Sequence, residues 1–239
     1  MKTIVATGAL AAALAGWALP AQAQTPSLLD PVLHGQLERW LGYGELQLDN
    51  IYTRQVGHFA TDFHAAADGK GDTFTLMRVS DDQGGSWLVG GYNPVSWSTT
   101  DGWHVAASQW ERTAFIFNYT DPVVLRPVPV THTLPSQGSK LTYNWPDHGP
   151  TFGQGPDLFV SEDLGTTLSW QLTYGDPAFQ GRSIIDGTYE GQLRRIDALE
   201  VYSVAVIPEP QTWAMLVGGL GVLGWAARRR KTREGAAAR

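Results

Sequence analysis

The 239-residue chain has no cysteine. Disulfide staples, thiol nucleophiles, thiol redox cycling and cysteine-ligated zinc are therefore excluded, and the fold must hold on its core alone. Other signatures are missing too: no HExxH, no GxSxG and no phosphate-binding loop occurs. The histidines His34, His58, His64, His104, His132 and His148 show no metal-ligand spacing except His58 and His64, which are six apart and expected on different faces of a helix. No catalytic residue, metal or cofactor is expected. Positive charge is also short, with 17 Lys and Arg against 23 Asp and Glu and a formal net charge of −6. Lys2, Arg228, Arg229, Arg230, Lys231, Arg233 and Arg239 lie at the two ends, so the middle is more acidic still. Such a middle disfavours nucleic acid and anionic membrane surfaces, and it would repel acidic polysaccharide or need cations to bind it.

The ends carry address signals. Lys2, the apolar run Ile4–Leu19 and the small-residue site Ala21-Gln22-Ala23 read as a secretory signal over residues 1–23. Signal peptidase would cut between Ala23 and Gln24. At the other end, Pro208, Glu209 and Pro210 precede an apolar run of about 212–227 and then a basic cluster over 228–233. The run is near the short limit for a membrane span, and the basic residues would hold its end in the cytoplasm. This ordered set, at residues 207–239, resembles the PEP-CTERM sorting tail of Gram-negative bacteria. The resemblance implies transient inner-membrane insertion, recognition of Pro-Glu-Pro by an exosortase, removal of the tail, and release or transfer to the cell surface. A retained single-pass anchor is the alternative.

Between the ends, residues 24–206 have the length of one domain. Asp30 as N-cap, Pro31 in the first turn, and Leu33, Leu37 and Leu41 at spacing four predict a helix over Leu28–Leu41, ended by Gly42. Gly44–Thr53 reads as a strand with Leu46, Leu48 and Tyr52 on alternate positions. Phe59 and Phe63, followed by Ala66 and Ala67, predict a short helix stopped by Asp68-Gly69-Lys70-Gly71. Phe74, Leu76 and Arg78 alternate with Thr73, Thr75 and Met77 in a strand. Asp81–Gly85 is a turn and Ser86–Tyr92 the returning strand. Ser98–Gln109 reads as a polar loop carrying Trp103 and His104. Further strands are expected at Arg112–Tyr119, Lys140–Trp145, Leu158–Ser161 and Leu168–Tyr174. Val123–Val130, interrupted by Pro127 and Pro129, can only be an edge strand or extended loop. Leu193–Val206 closes the domain, with Ile196, Ala198 and Glu200 on one face and Leu199 and Val201 on the other. The expected class is mainly β (α+β): a two-sheet antiparallel β-sandwich with flanking short helices.

Several motifs stand in a defined order. They are Phe63-His64, Asp68-Gly69-Lys70-Gly71, Gly90-Gly91-Tyr92, Trp97 and Phe115-Ile116-Phe117. They continue with Gly149-Pro150-Thr151-Phe152-Gly153, Gly155, Asp157-Leu158 and Leu199-Glu200-Val201-Tyr202. From about Leu28 to Val204 this order resembles the TLD (TLDc) domain. The resemblance implies a sandwich of two antiparallel sheets bordered by helices, with no established catalytic chemistry or cofactor. Eukaryotic members are linked to oxidative-stress protection and several bind the vacuolar proton pump. The family's frequent cysteine before Asp-Gly-Lys is Ala67 here, so a thiol-based role is lost, and an exported protein would not meet the pump's cytosolic face.

The individual candidates divide between structure and chemistry. His64 reads as a packed or hydrogen-bonded residue, and Asp68 and Lys70 as turn formers. Glu200, if it faces inward, needs a partner such as Lys70 or Arg195. His148, beside Asp147 in a glycine-rich turn, could reach a ligand. A hydrolase site near His148, Asp157 and Glu200 is one alternative and oxidant protection another. Of Trp40, Trp87, Trp97, Trp103, Trp110, Trp145 and Trp170 some must be core, whereas Trp103 and Trp110 flank the polar loop, where exposed rings would suit sugars. The expected role is a non-catalytic surface or matrix protein, with a polysaccharide or matrix partner in the setting of exopolysaccharide and biofilm.

Overall fold

The structure is a computed structural model that describes residues 26–100, 102–129, 137–189, 191–207 and 220. The signal, its cleavage site, the Pro-Glu-Pro motif, the basic cluster and all of the expected membrane run except Leu220 lie outside the described residues. No helix among the described residues is long and apolar enough to cross a membrane.

In chain order the elements are α1 (Pro31–Leu41), β1 (Leu46–Thr53), α2 (Ala60–Ala67), β2 (Thr73–Ser80), β3 (Ser86–Asn93), β4 (Gly102–Val105), β5 (Phe115–Asn118), β6 (Val123–Leu125), β7 (Lys140–Asn144), β8 (Thr151–Phe152), β9 (Phe159–Val160), β10 (Thr166–Leu168) and β11 (Arg194–Val206). They build two antiparallel sheets. The large sheet runs β6-β5-β3-β2-β11-β10-β9, with β1 also on β11, and the small sheet runs β4-β7-β8. The 13-residue β11 is its spine. One edge of β11 pairs with β2, and the other is shared between β10 at its start and β1 at its end.

Both faces of the large sheet are buried. Leu33, Leu37 and Leu41 of α1 pack on Phe74, Leu76, Tyr92, Phe115, Phe117 and Tyr202. On the other face, Met77, Val79, Val89, Ile116, Leu199 and Val201 meet Ala60, Phe63 and Ala67 of α2 together with Leu141 and Phe152 of the small sheet. The alternation expected for β2 holds, with each face meeting a different layer. The edge position expected for Val123–Val130 holds for β6.

Other expectations are corrected. The first helix starts at Pro31; Asp30 caps it, accepting from the N–H groups of Val32 and Leu33, while Leu28 lies at a bend ahead of the helix and packs in the α1-side core. Phe59 precedes α2 and is half exposed, so it does not share the buried face of Phe63. His58 also lies outside that helix, its Nδ1 3.2 Å from the Tyr52 hydroxyl. The supposed polar loop after Trp97 contains β4, because β7 supplies partners for its backbone. The expected strand over Leu168–Tyr174 stops at Leu168, since a carboxylate captures the N–H groups of Leu172, Thr173 and Tyr174.

Two bulges alter which side chains share a face. Asp197 is the extra residue between the pairs Ile196–Val79 and Ala198–Arg78. Ile196 therefore joins Leu199 and Val201 on the α2 side rather than Ala198. In β1 the register shifts between Asn50 and Tyr52. Tyr52 consequently packs with Phe63 on the side opposite to Leu46 and Leu48. An inserted residue inverts the two-residue alternation beyond it.

Candidate functional site

The motif residues Phe63, His64, Asp68 and Trp97 converge where α2 ends. Gly69 and Gly71 take positive φ (70° and 81°) and turn the chain out of the helix, while Lys70 points to solvent. Gly69 donates its N–H to the Trp97 carbonyl. The Trp97 indole is 1% exposed, donates to Thr73 Oγ1 at 2.8 Å, and meets Phe63 and Phe152 edge-on at 5.4 and 5.5 Å. Gly90 and Gly91 lie on β3 beneath this group. A Cβ at 91 would fall 2.6 Å from Phe152 Cζ, and one at 90 would fall 2.0 Å from the Thr75 carbonyl oxygen. Gly91 thus lets a ring of one sheet rest on the backbone of the other, while Gly90 faces the α1 side, where a Cβ would also crowd Phe117.

His64 is 4% exposed. Its Nδ1 lies 2.7 Å from Asp68 Oδ1, and its Nε2 faces the carbonyls of Trp145 and His148 at 2.9 and 3.1 Å. Asp68 anchors the ring, and the ring holds the 145–148 turn against α2. That turn continues an aromatic row from the small sheet. Trp103 and Tyr143 are register partners on β4 and β7 with centroids 4.2 Å apart and planes 38° apart. Tyr143 and Trp145 follow at 5.9 Å and 36°. His148 meets Tyr143 and Phe159 edge-on, each at 5.2 Å. The Lys140 ammonium sits 5.3 Å over Trp103. His148 Nδ1 lies 2.7 Å from Asp147 Oδ1, and this bond holds the Asp147 carboxyl below the usual carboxylate range.

Asp157 organises the glycine-rich turn. It is fully buried, and its two oxygens accept from the N–H groups of Leu172, Tyr174, Thr173 and Gly155 at 2.7, 2.8, 3.1 and 3.2 Å. Burial pushes its carboxyl up to about 6, while the four N–H donors pull it back. Gly153 adopts φ +76° against this carboxylate, where a Cβ would lie 2.0 Å from Oδ2. A Cβ at Gly149 would meet Val160, and one at Gly155 the Trp170 carbonyl. Leu158 exchanges both backbone hydrogen bonds with Phe152, which fixes that ring's approach to Gly91.

Glu200 is 6% exposed. Its partners are neither Lys70 nor Arg195. Oε2 accepts from the Leu28 N–H at 2.9 Å, the Ser27 hydroxyl at 3.2 Å and the Tyr202 hydroxyl. Arg195 instead pairs with Asp197 and Ser80. The expected cation is replaced by an amide and two hydroxyls. His148, Asp157 and Glu200 have separate partners, and no contact joins them among the described residues. Among the described residues no group of three or more His, Asp and Glu could hold a metal ion.

Trp103 lies half-buried in the row, while Trp110 stands apart at 80% exposed. Sequence reasoning missed Tyr143 and Trp145 as parts of one surface. The signal available was their spacing of two in the strand expected over Lys140–Trp145, which places both on one face, although β7 itself ends at Asn144.

Comparison with known families finds the PEP-CTERM protein-sorting motif at residues 206–231. The chain therefore carries the sorting signal of exosortase-processed, exported proteins, whose tail is membrane-anchored before processing. No match to a TLDc family supports that resemblance. No curated protein matches the chain.

Proposed function

We propose that this is a secreted surface or matrix protein whose folded region, residues 24–206, is a non-catalytic TLDc-like binding module freed by exosortase cleavage near Pro208, Glu209 and Pro210. The observation that carries the reading is the sorting motif at 206–231, set against the end of the last described strand. β11 stops at Val206, and Ile207 donates its N–H to the Glu45 carbonyl. Two prolines then follow, which cannot donate to a ladder. Removal of everything after Pro210 leaves every described strand intact. A signal over 1–23, cut between Ala23 and Gln24, would begin the mature chain just before Ser27 and Leu28, which dock on Glu200.

Within this reading the motif residues Phe63, His64, Asp68, Gly69, Lys70, Gly71, Gly90, Gly91, Trp97, Gly149, Phe152, Gly153, Gly155, Asp157, Leu158 and Glu200 serve the fold. Their contacts, where they make them, are to backbone, to core and to one another inside the fold, as in His64 with Asp68 and Trp97 with Phe63 and Phe152. The partner is extracellular polysaccharide, as in a biofilm matrix, and the host is Gram-negative. The test is intact mass of the protein from its native host, in envelope and medium fractions. A mature chain ending near Pro208–Pro210 is expected. A mass that includes Arg239 in every fraction overturns the processing.

A further inference from the structure

We propose that Trp103, Tyr143 and Trp145 form a binding platform for an uncharged glycan chain. This rests on the reading of the protein as an exported binding module and names the site and the ligand class.

Strand alternation divides the small sheet into two faces. Thr142 and Phe152 are register partners, and Phe152 faces the core. Tyr143 and its partner Trp103 therefore occupy the opposite face. None of the three rings belongs to either buried cluster, and Trp145 is 47% exposed. Trp103 and Tyr143 stack on one another with centroids 4.2 Å apart, and Trp145 follows at 5.9 Å and 36°, so the row is one packed aromatic floor whose open ring is Trp145. Trp97, a buried core ring, has its indole N–H hydrogen bonded to Thr73. The indole N–H groups of Trp103 and Trp145 make no hydrogen bond among the described residues.

The floor is preorganised. His64 holds the backbone of the 145–148 turn, Lys140 lies over Trp103, and the His148 ring abuts Tyr143 edge-on. Binding therefore pays little ordering entropy. A ring face flanked by donors suits a ligand with an apolar C–H face and a hydroxylated rim, which is the chemistry of a pyranose. Nucleobases stack on similar floors, but those sites sit in positively charged grooves. Here one lysine is set against Asp147 on a chain of net charge −6. The same charge disfavours acidic polysaccharide, which leaves the uncharged glycans.

The experiment is affinity electrophoresis of the full chain, purified from host envelopes in mild detergent, through gels holding hydroxyethylcellulose, dextran or galactomannan. At least one of these is expected to retard the protein. Trp145→Ala should weaken the interaction about tenfold and Trp145→Phe should keep part of it. Trp110→Ala, removing an 80% exposed ring outside the row, should leave it unchanged. The platform is overturned if no glycan retards the protein, or if Trp145→Ala migrates like the wild type. It is also overturned if Trp145-dependent binding is found to oligo-dT or to a second copy of the chain in place of glycan. Loss of the platform with a cleaved tail leaves the export reading intact. Glycan binding by a protein whose tail is never cut removes the processing and leaves the platform.

Discussion

Phe152 of the small sheet rests on the backbone of Gly91 in the large one, so closely that a Cβ there would lie 2.6 Å from the ring. The spacing between the two sheets at this point is set by the absence of a single side chain. Gly91→Ala should destabilise the protein by about 1–3 kcal/mol through overpacking. Phe152→Ala should cost about 3–5 kcal/mol through the cavity it leaves. The double variant should cost less than the sum, because the new methyl partly fills the vacated space. Thermal or urea unfolding of the four proteins reads this directly; strict additivity would show that the two residues are not coupled.

Asp157 gives stability a pH dependence of defined sign. Its carboxyl titrates at about 6 in the fold, against an ordinary value of 3.8. A raised acid contributes stability fully present below its unfolded value, and this is lost as pH rises through about 6. The contribution amounts to roughly 3 kcal/mol at 1.36 kcal/mol per unit. Asp157→Asn should be destabilised at every pH, because one amide oxygen cannot accept from four N–H groups and its NH2 opposes two of them. The wild type's advantage over this variant should be larger at pH 4 than at pH 7. A constant gap in urea midpoints across that range would contradict the assignment.

His64 should govern order in the aromatic turn. Replacing it by Ala removes the hydrogen bonds to the Trp145 and His148 carbonyls and should cost about 1–3 kcal/mol. Amide exchange by mass spectrometry should accelerate in the 145–149 turn well before it accelerates in β2 or β11. Uniform acceleration over the whole chain would mean that His64 supports only global stability.

Glu200 tethers the start of the folded chain to its last strand. Glu200→Ala leaves the Leu28 N–H and the Tyr202 hydroxyl without their acceptor, and the segment before α1 should detach. Limited proteolysis should cut ahead of Asp30 in the variant and spare the wild type. Glu200→Gln keeps an acceptor oxygen and should protect the segment in part. Equal resistance of the wild type and Glu200→Ala would remove the tether.

The amino-acid order alone determined that a first helix ends at Leu41, although it set the start at Leu28 rather than Pro31, because N-cap, first-turn proline, leucine spacing and terminal glycine are all local signals. It also determined the alternation of β2 and the sorting tail, a short linear signal that needs no fold to be recognised. Only the tertiary structure decided the rest. The bulges at Ile51 and Asp197 depend on what each strand pairs with, so Tyr52 and Ile196 end on faces that a fixed two-residue period misassigns. β4 exists because β7 offers it a ladder, and residues 172–174 leave the sheet because the Asp157 side chain supplies their acceptor. Glu200 finds an amide and two hydroxyls where sequence offered a lysine or an arginine. Apart from the Tyr202 hydroxyl, the deciding partners are distant in sequence, and a backbone or carboxylate satisfies its hydrogen bonds with whatever group the fold brings within reach.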